Sequence, residues 1–263
     1  MNKTILTLRQ LCSQWKAKLT LGKTYNTPIS IGFDDTEYEL LSCVEHNIKG
    51  TGSISHGYDH DNQDETKGLS LVQPKKCDEC GGKVHFFSEK CNCGSDKFTY
   101  VNDSRWGIDV SAHLMYEVNN YHLWILYPES YKHDCKVFIL KQYLIDGNNK
   151  AFNDILEIQL DRGKSKFKNF LPFSGDFYVS NPKEVSSFTI VFDEIFGLDV
   201  KRNKTQEIFY TKDIVKKMKK MMDSSFINDK DTYLYEELIP FINVKNKKTS
   251  HGKRRGETKR RTK

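Results

Sequence analysis

Apolar residues recur at helical spacing through Leu8, Leu11, Trp15 and Leu19, which predicts a helix over TLRQLCSQWKAKL near the start of the chain. After a turn-like stretch at 26–28, the segment FDDTEYELLSCVEHNIKG reads as a second helix, with Asp34 or Asp35 to cap it and Gly50 to end it. Residues 51–68 are polar, glycine-bearing and dense in acids, and so read as a loop. From Trp106 onward the pattern changes. WGIDVSAHLMYEV, YHLWILYPE and KVFILKQYLI alternate or run apolar at strand length, which predicts a central, partly buried sheet. Residues 151–182 mix a helical stretch with an aromatic loop, and SFTIVFDEIF reads as a further strand. In TKDIVKKMKKMMDSSF, Ile214, Val215, Met218, Met221 and Met222 form one helical stripe, backed by a solvated lysine face. The interleaving predicts an α/β (α+β) architecture, a mixed central sheet flanked by helices.

Composition narrows this picture. The 263 residues are 37% hydrophobic and 12% aromatic, enough to fill a core and to exclude global disorder. No apolar run approaches 18 residues and the first residues carry no secretory pattern, so a soluble protein without membrane contact is expected. The net charge of +6 is unevenly spread. Residues 245–263 hold ten Lys or Arg against one Glu, leaving the preceding body mildly acidic. That tail has no apolar periodicity, reads as disordered, and would be attracted to a polyanion.

Seven cysteines cannot form a fully paired disulfide framework. Cys12, Cys43 and Cys135 lie among apolar neighbours and read as core thiols. Cys77 and Cys80, then Cys91 and Cys93, form two close pairs separated by ten residues. Two such pairs can place four thiolates around Zn²⁺, with Gly81, Gly82 and Gly94 permitting the tight turns between them. Four protein ligands close the coordination shell, so this zinc would be structural. His85 could substitute for a ligand. The expected organisation is 1–76 (N-terminal helices and an acidic hairpin), 77–97 (an inserted four-cysteine zinc ribbon), 98–244 (the remainder of the core) and 245–263 (the basic tail).

The acidic loop offers a second chemistry. Glu65-Thr66-Lys67 lies six residues after Asp59 and immediately before the apolar LSLV. Across a short hairpin, Asp59 and Glu65 would hold Mg²⁺, with the Thr66 carbonyl as a further hard oxygen ligand. Lys67 would orient an attacking water and offset developing charge. Glu45, one helix upstream, would add a third carboxylate. Asp61 and Asp64 compete with Asp59 for the ligand role.

In that order, Glu45, Asp59 and Glu65-Thr66-Lys67 resemble the E…D…(D/E)-x-K constellation of the PD-(D/E)XK nucleases. The spacing is most similar to the MutH-like branch, which includes related type II restriction endonucleases. The resemblance covers roughly residues 30–75 by motif. It implies an α/β nuclease core, a cytoplasmic setting in a prokaryote or phage, and Mg²⁺-dependent, sequence-specific cleavage of double-stranded DNA to 5′-phosphate products. No proline precedes Asp59, and a zinc ribbon after E-x-K is foreign to the MutH pattern. A homodimer and a sequentially nicking monomer both fit the sequence. Asp103 and Asp109 form a weaker D…D pattern in which Ser111 replaces the lysine. In RGKSKFKNFLPFSGDFYV, Lys164, Lys166 and Lys168 interleave with aromatics, as phosphate contact and base stacking require. The rival expectation is a noncatalytic zinc-ribbon nucleic-acid-binding protein, such as a phage or viral transcription or replication factor.

Overall fold

A computed structural model describes residues 2–25, 27–52, 58–100, 105–161, 167–172, 174–193 and 197–205. The helix expected over 211–226, the basic tail, Asp103, Lys164 and Lys166 lie outside the described residues. The architecture is mixed α+β, with a central mixed sheet flanked by helices.

Helix α1 (Lys3–Thr24) is capped by the Asn2 side chain and buries Leu8, Cys12, Trp15 and Leu19 along one stripe. Helix α2 (Asp35–His46) starts in a reciprocal capping box between Asp34 and Glu37. It stops earlier than the glycine signal suggested, because Asn47 adopts the left-handed conformation that ends a helix and frees the chain before Gly50.

The acidic segment read as loop contains a short strand, β1 (Glu65–Lys67). The four-cysteine segment follows as β2 (Lys75–Cys77), β3 (Lys83–Val84) and β4 (Phe98–Tyr100), a three-stranded ribbon of order β3-β2-β4. WGIDVSAHLMYEV is not one strand: β5 (Trp106–Asp109) runs directly into α3 (Val110–Tyr116). The switch has a local cause, since the Asp109 carboxylate accepts from the Ala112 N–H at 3.0 Å and caps the helix. Then come β6 (Asn120–Pro128), β7 (Val137–Asp146), α4 (Lys150–Asp161), β8 (Phe167–Phe170), α5 (Gly175–Val179), β9 (Lys183–Asp193) and β10 (Gly197–Arg202).

The central sheet has the order β1-β6-β7-β9-β10. β6, β7, β9 and β10 form an antiparallel run, whereas β1 joins the β6 edge in parallel. Alternation along the strands divides the core between the two faces. Trp124 and Leu126 of β6 pack with Phe138, Leu140, Phe188 and Ile190 under α1, α2 and the ribbon. Tyr121, Leu123 and Ile125 face the opposite layer with Trp106, Phe152, Phe170 and Phe177. No described helix is long and apolar enough to cross a membrane.

The end of β1 is held by close contact. A Cβ at Gly68 would sit 1.7 Å from Tyr38 Cδ2, while the Tyr38 hydroxyl donates to the Leu69 carbonyl at 3.0 Å. Gly68→Ala is therefore expected to destabilise the fold by about 1–3 kcal/mol through overpacking. Urea unfolding of the variant against wild type checks this.

Candidate functional site

The E-x-K spacing acts through the period of the strand. Thr66 points inward and is buried, while Glu65 and Lys67 share the other face and remain half-buried. The Thr66 hydroxyl donates to Ser42 Oγ at 2.9 Å and lies 2.8 Å from His60 Nε2, and the Trp124 indole donates to the same serine at 2.8 Å. Beside it, Asp64 Oδ2 lies 2.8 Å from His122 Nε2, and Gln142 bridges His122 to His46 at 2.9 and 2.8 Å. This polar layer ties β1, β6 and β7 to α2. Burial drives the His60 pKa down to about 4, so its ring is neutral near pH 7.

Around β1 the structure gathers Asp59, Glu65 and Lys67. Asp59 Oδ2 accepts from the Thr66 N–H at 2.7 Å, on the open side of this edge strand. Lys67 Nζ donates to Glu65 Oε1 at 2.5 Å. Glu65 Oε2 is buried and has no hydrogen-bond partner among the described residues. Burial pushes the Glu65 carboxyl up to about 7; the Lys67 charge opposes this rise, and Asp59 adds to it. Burial disfavours the Lys67 ammonium, but Glu65 and Asp59 outweigh it and hold its pKa above the ordinary value. Lys67 is thus a charged donor at neutral pH rather than a base.

Asp61 and Asp64 are occupied elsewhere. Asp61 accepts from the Lys49 N–H at 3.4 Å, and Asp64 is buried against His122, Asn120 and Asn62. Glu45 also stands apart from the loop. Its carboxylate takes hydrogen bonds from Thr4 at 2.6 Å, Arg202 at 2.5 Å and Ser186, fastening α2 to α1, β9 and β10. Burial works against its charge, but the bonds from Arg202, Ser186 and Thr4 prevail and keep its pKa low.

The α2 acid whose charge bears on Glu65 and Asp59 is Glu39. After burial, the Asp59 charge is what raises its pKa most, with Lys67 opposing, so it shares the field of both. Helix phase was the available signal. Tyr38, Leu41 and Ser42 are buried, and position 45 lies seven residues after Tyr38 on that same inner face, whereas Glu39 flanks it.

Asp109, the weaker carboxylate candidate, and two residues near it have structural roles. Asp109 caps α3, Trp106 donates to the Trp124 carbonyl at 2.9 Å, and His113 is buried between Tyr121 and Asn153. Lys168, expected among phosphate-contacting lysines, is fully buried and pairs with Asp176 at 2.6 Å.

In the ribbon, the sulfurs of Cys77, Cys80, Cys91 and Cys93 all lie within 4.8 Å of one another, an arrangement that can hold a metal such as zinc. Tight turns bring them there: Gly81 N–H donates to the Cys77 carbonyl and Gly94 N–H to the Cys91 carbonyl, with both glycines at positive φ. His85 is not part of this group. Among the described residues it is the one group to bring three or more ligating atoms that close.

Two outcomes follow from this geometry. Purified protein should carry one tetrathiolate-bound metal, seen as a charge-transfer band on Co²⁺ substitution. Its removal by a chelator should lower the thermal midpoint by on the order of 10 °C. For Glu65, a folded pKa of about 7 above the ordinary 4.5 means that stability is lost as pH rises across this interval. Glu65→Gln should therefore match wild type at pH 4 and exceed it at pH 8 by about 1–3 kcal/mol in denaturant titrations.

Comparison of the chain with protein-family models, curated proteins and solved structures returns no match.

Proposed function

We propose that the chain is a Mg²⁺-dependent endonuclease acting on double-stranded DNA, with Asp59, Glu65 and Lys67 as its reacting centre and Glu39 beside them. The observation that carries this reading is the buried Glu65 Oε2, without a hydrogen-bond partner among the described residues, on a carboxylate that pairs with Lys67 and feels the charges of Asp59 and Glu39. Such a site has an excess of negative charge that a divalent cation would offset, and burial makes that offset valuable. The donor set suits Mg²⁺, a hard ion commonly held by one or two carboxylates together with waters and substrate phosphate oxygens. Asp59 and Glu65 would hold it.

When bound, Mg²⁺ polarises the scissile phosphate and makes a nearby water more acidic. The chain's own residues supply the remainder. The Thr66 N–H fixes the Asp59 carboxylate, and the inward anchoring of Thr66 fixes the strand that presents Glu65 and Lys67. Lys67 keeps its proton, orients the attacking water and stabilises charge growing on the phosphoryl oxygens. Glu39 contributes a further acceptor for water. The product end is a 5′-phosphate, and sequence selection belongs to surfaces outside this centre. Zinc is the metal we assign to the four cysteines, in a bracing role.

Mg²⁺-dependent digestion of phage and plasmid DNA tests the reading. Wild type should give discrete fragments. Lys67→Ala and Glu65→Ala should each lower the cleavage rate by at least about 10²-fold, and Glu39→Ala less severely. Glu45→Gln should act on stability and leave the rate per folded molecule within a few-fold. Added Mg²⁺ should raise the thermal midpoint of wild type and not of Glu65→Ala. Salt-sensitive DNA binding without any cleavage would instead support the noncatalytic zinc-ribbon protein.

A further inference from the structure

A cleft of about 230 Å³ opens between the C-terminal end of α1 and the ribbon. Lys23 comes from the last turn of the helix, and Lys83 and Lys90 from the ribbon. Thr27, Ser88 and Asn92 add neutral hydrogen-bonding groups, and no carboxylate lines the cleft among the described residues.

Behind this wall lies a fourth cation. Lys75 on β2 is 1% exposed, pairs in register with the cleft-lining Val84, and donates from Nζ to the carbonyl of Ser88, which also lines the cleft. Its ammonium also lies over the faces of Phe98 at 4.0 Å and Tyr100 at 5.7 Å. Carbonyl and π contacts stabilise an ammonium without adding a negative charge, and no carboxylate pairs with Lys75 among the described residues. A divalent metal on four thiolates would leave a net charge of about −2 beside Lys90 and Asn92, less than the lysines supply, and no cysteine is among the described residues that line the cleft. Three lining lysines, with Lys75 behind the wall, raise the potential of this polar cavity and favour an anion with several acceptor oxygens.

We propose that this cleft binds phosphate groups of a nucleic-acid backbone, as an anchoring site separate from the Asp59–Glu65–Lys67 centre. The identity of the polyanion rests on the proposed nuclease reading, while the anion site itself does not. Lysine is a point-charge phosphate binder without base-edge geometry, so the anchor contributes affinity and orientation and leaves sequence selection to other groups.

The test uses the full, metal-loaded chain without added Mg²⁺. Lysine acylation read by mass spectrometry is followed with a labelled duplex or with inorganic phosphate present, alongside anisotropy titrations of the duplex across salt concentrations. The duplex should shield Lys23, Lys83 and Lys90 while leaving Lys150, exposed on α4, reactive. The K23E/K83E/K90E variant should bind the duplex at least about tenfold more weakly, with a salt slope reduced by roughly two to three. Lys150→Ala, on α4 and not among the residues that line the cleft, should bind like wild type. If the triple variant loses its metal, the shielding pattern of the wild-type chain decides alone. Unchanged reactivity of the three lysines at saturating duplex would overturn the proposal. Shielding by inorganic phosphate but not by duplex would also overturn it, leaving a small-anion pocket. Shielding by duplex in a chain that cuts no DNA would sustain the cleft while refuting the nuclease reading.

Discussion

The fastening of Thr66 is the constraint on which the candidate centre depends. A strand of three residues has too few contacts to hold its own position, yet β1 carries both Glu65 and Lys67. Parallel pairing with β6 fixes its backbone, and the hydroxyl of the central residue fixes its rotation through Ser42 and His60. With Thr66 turned inward, the flanking acid and lysine must turn the other way. A slip of one residue would exchange the two faces and bury a charged pair against the Trp124 side of the sheet. The open edge of the same strand supplies the amide that holds Asp59, so one short element positions all three groups.

The polar layer beneath gives this arrangement its rigidity. Asp64, His122, Gln142 and His46 form a chain of hydrogen bonds from the acidic hairpin across β6 and β7 to the end of α2. Groups buried in this way are costly unless every partner is in place, which disfavours alternative registers. Glu45 performs a related task further along α2, where Thr4, Ser186 and Arg202 converge on one carboxylate and join the helix layer to the far edge of the sheet. Its charge serves the packing of elements and not the chemistry of the loop.

Where a periodic pattern is long, the sequence could be read with little loss. The stripe through Leu8, Trp15 and Leu19 became α1, and the apolar runs at 121–129 and 136–145 became β6 and β7. The cysteine spacing announced a tetrathiolate cluster because only backbone turns are needed to close it. Spacing also singled out Asp59, Glu65 and Lys67, which do converge. It did not distinguish Glu45 from Glu39, because that choice depends on which face of α2 meets β1 and which meets α1. The break at Asp109 was hidden for a similar reason: a cap is a geometric relation between one carboxylate and an amide three residues on. Lys168 looked like part of a solvated basic segment, and its buried partner Asp176 lies across a turn that composition does not reveal.

The ribbon is bound into the main fold more deeply than an insertion between strands would suggest. Phe86 is fully buried in the cluster built by α1 and the central sheet, and Phe87 stacks edge-on against Phe138 of β7 at 6.1 Å. Residues 75–100 are therefore not a portable module. Grafted elsewhere they would present two bare phenyl rings, and excised from here they would uncover Phe138 and Tyr131. A short cysteine-bearing segment is thus the lid of the larger core, and neither part has a finished surface without the other.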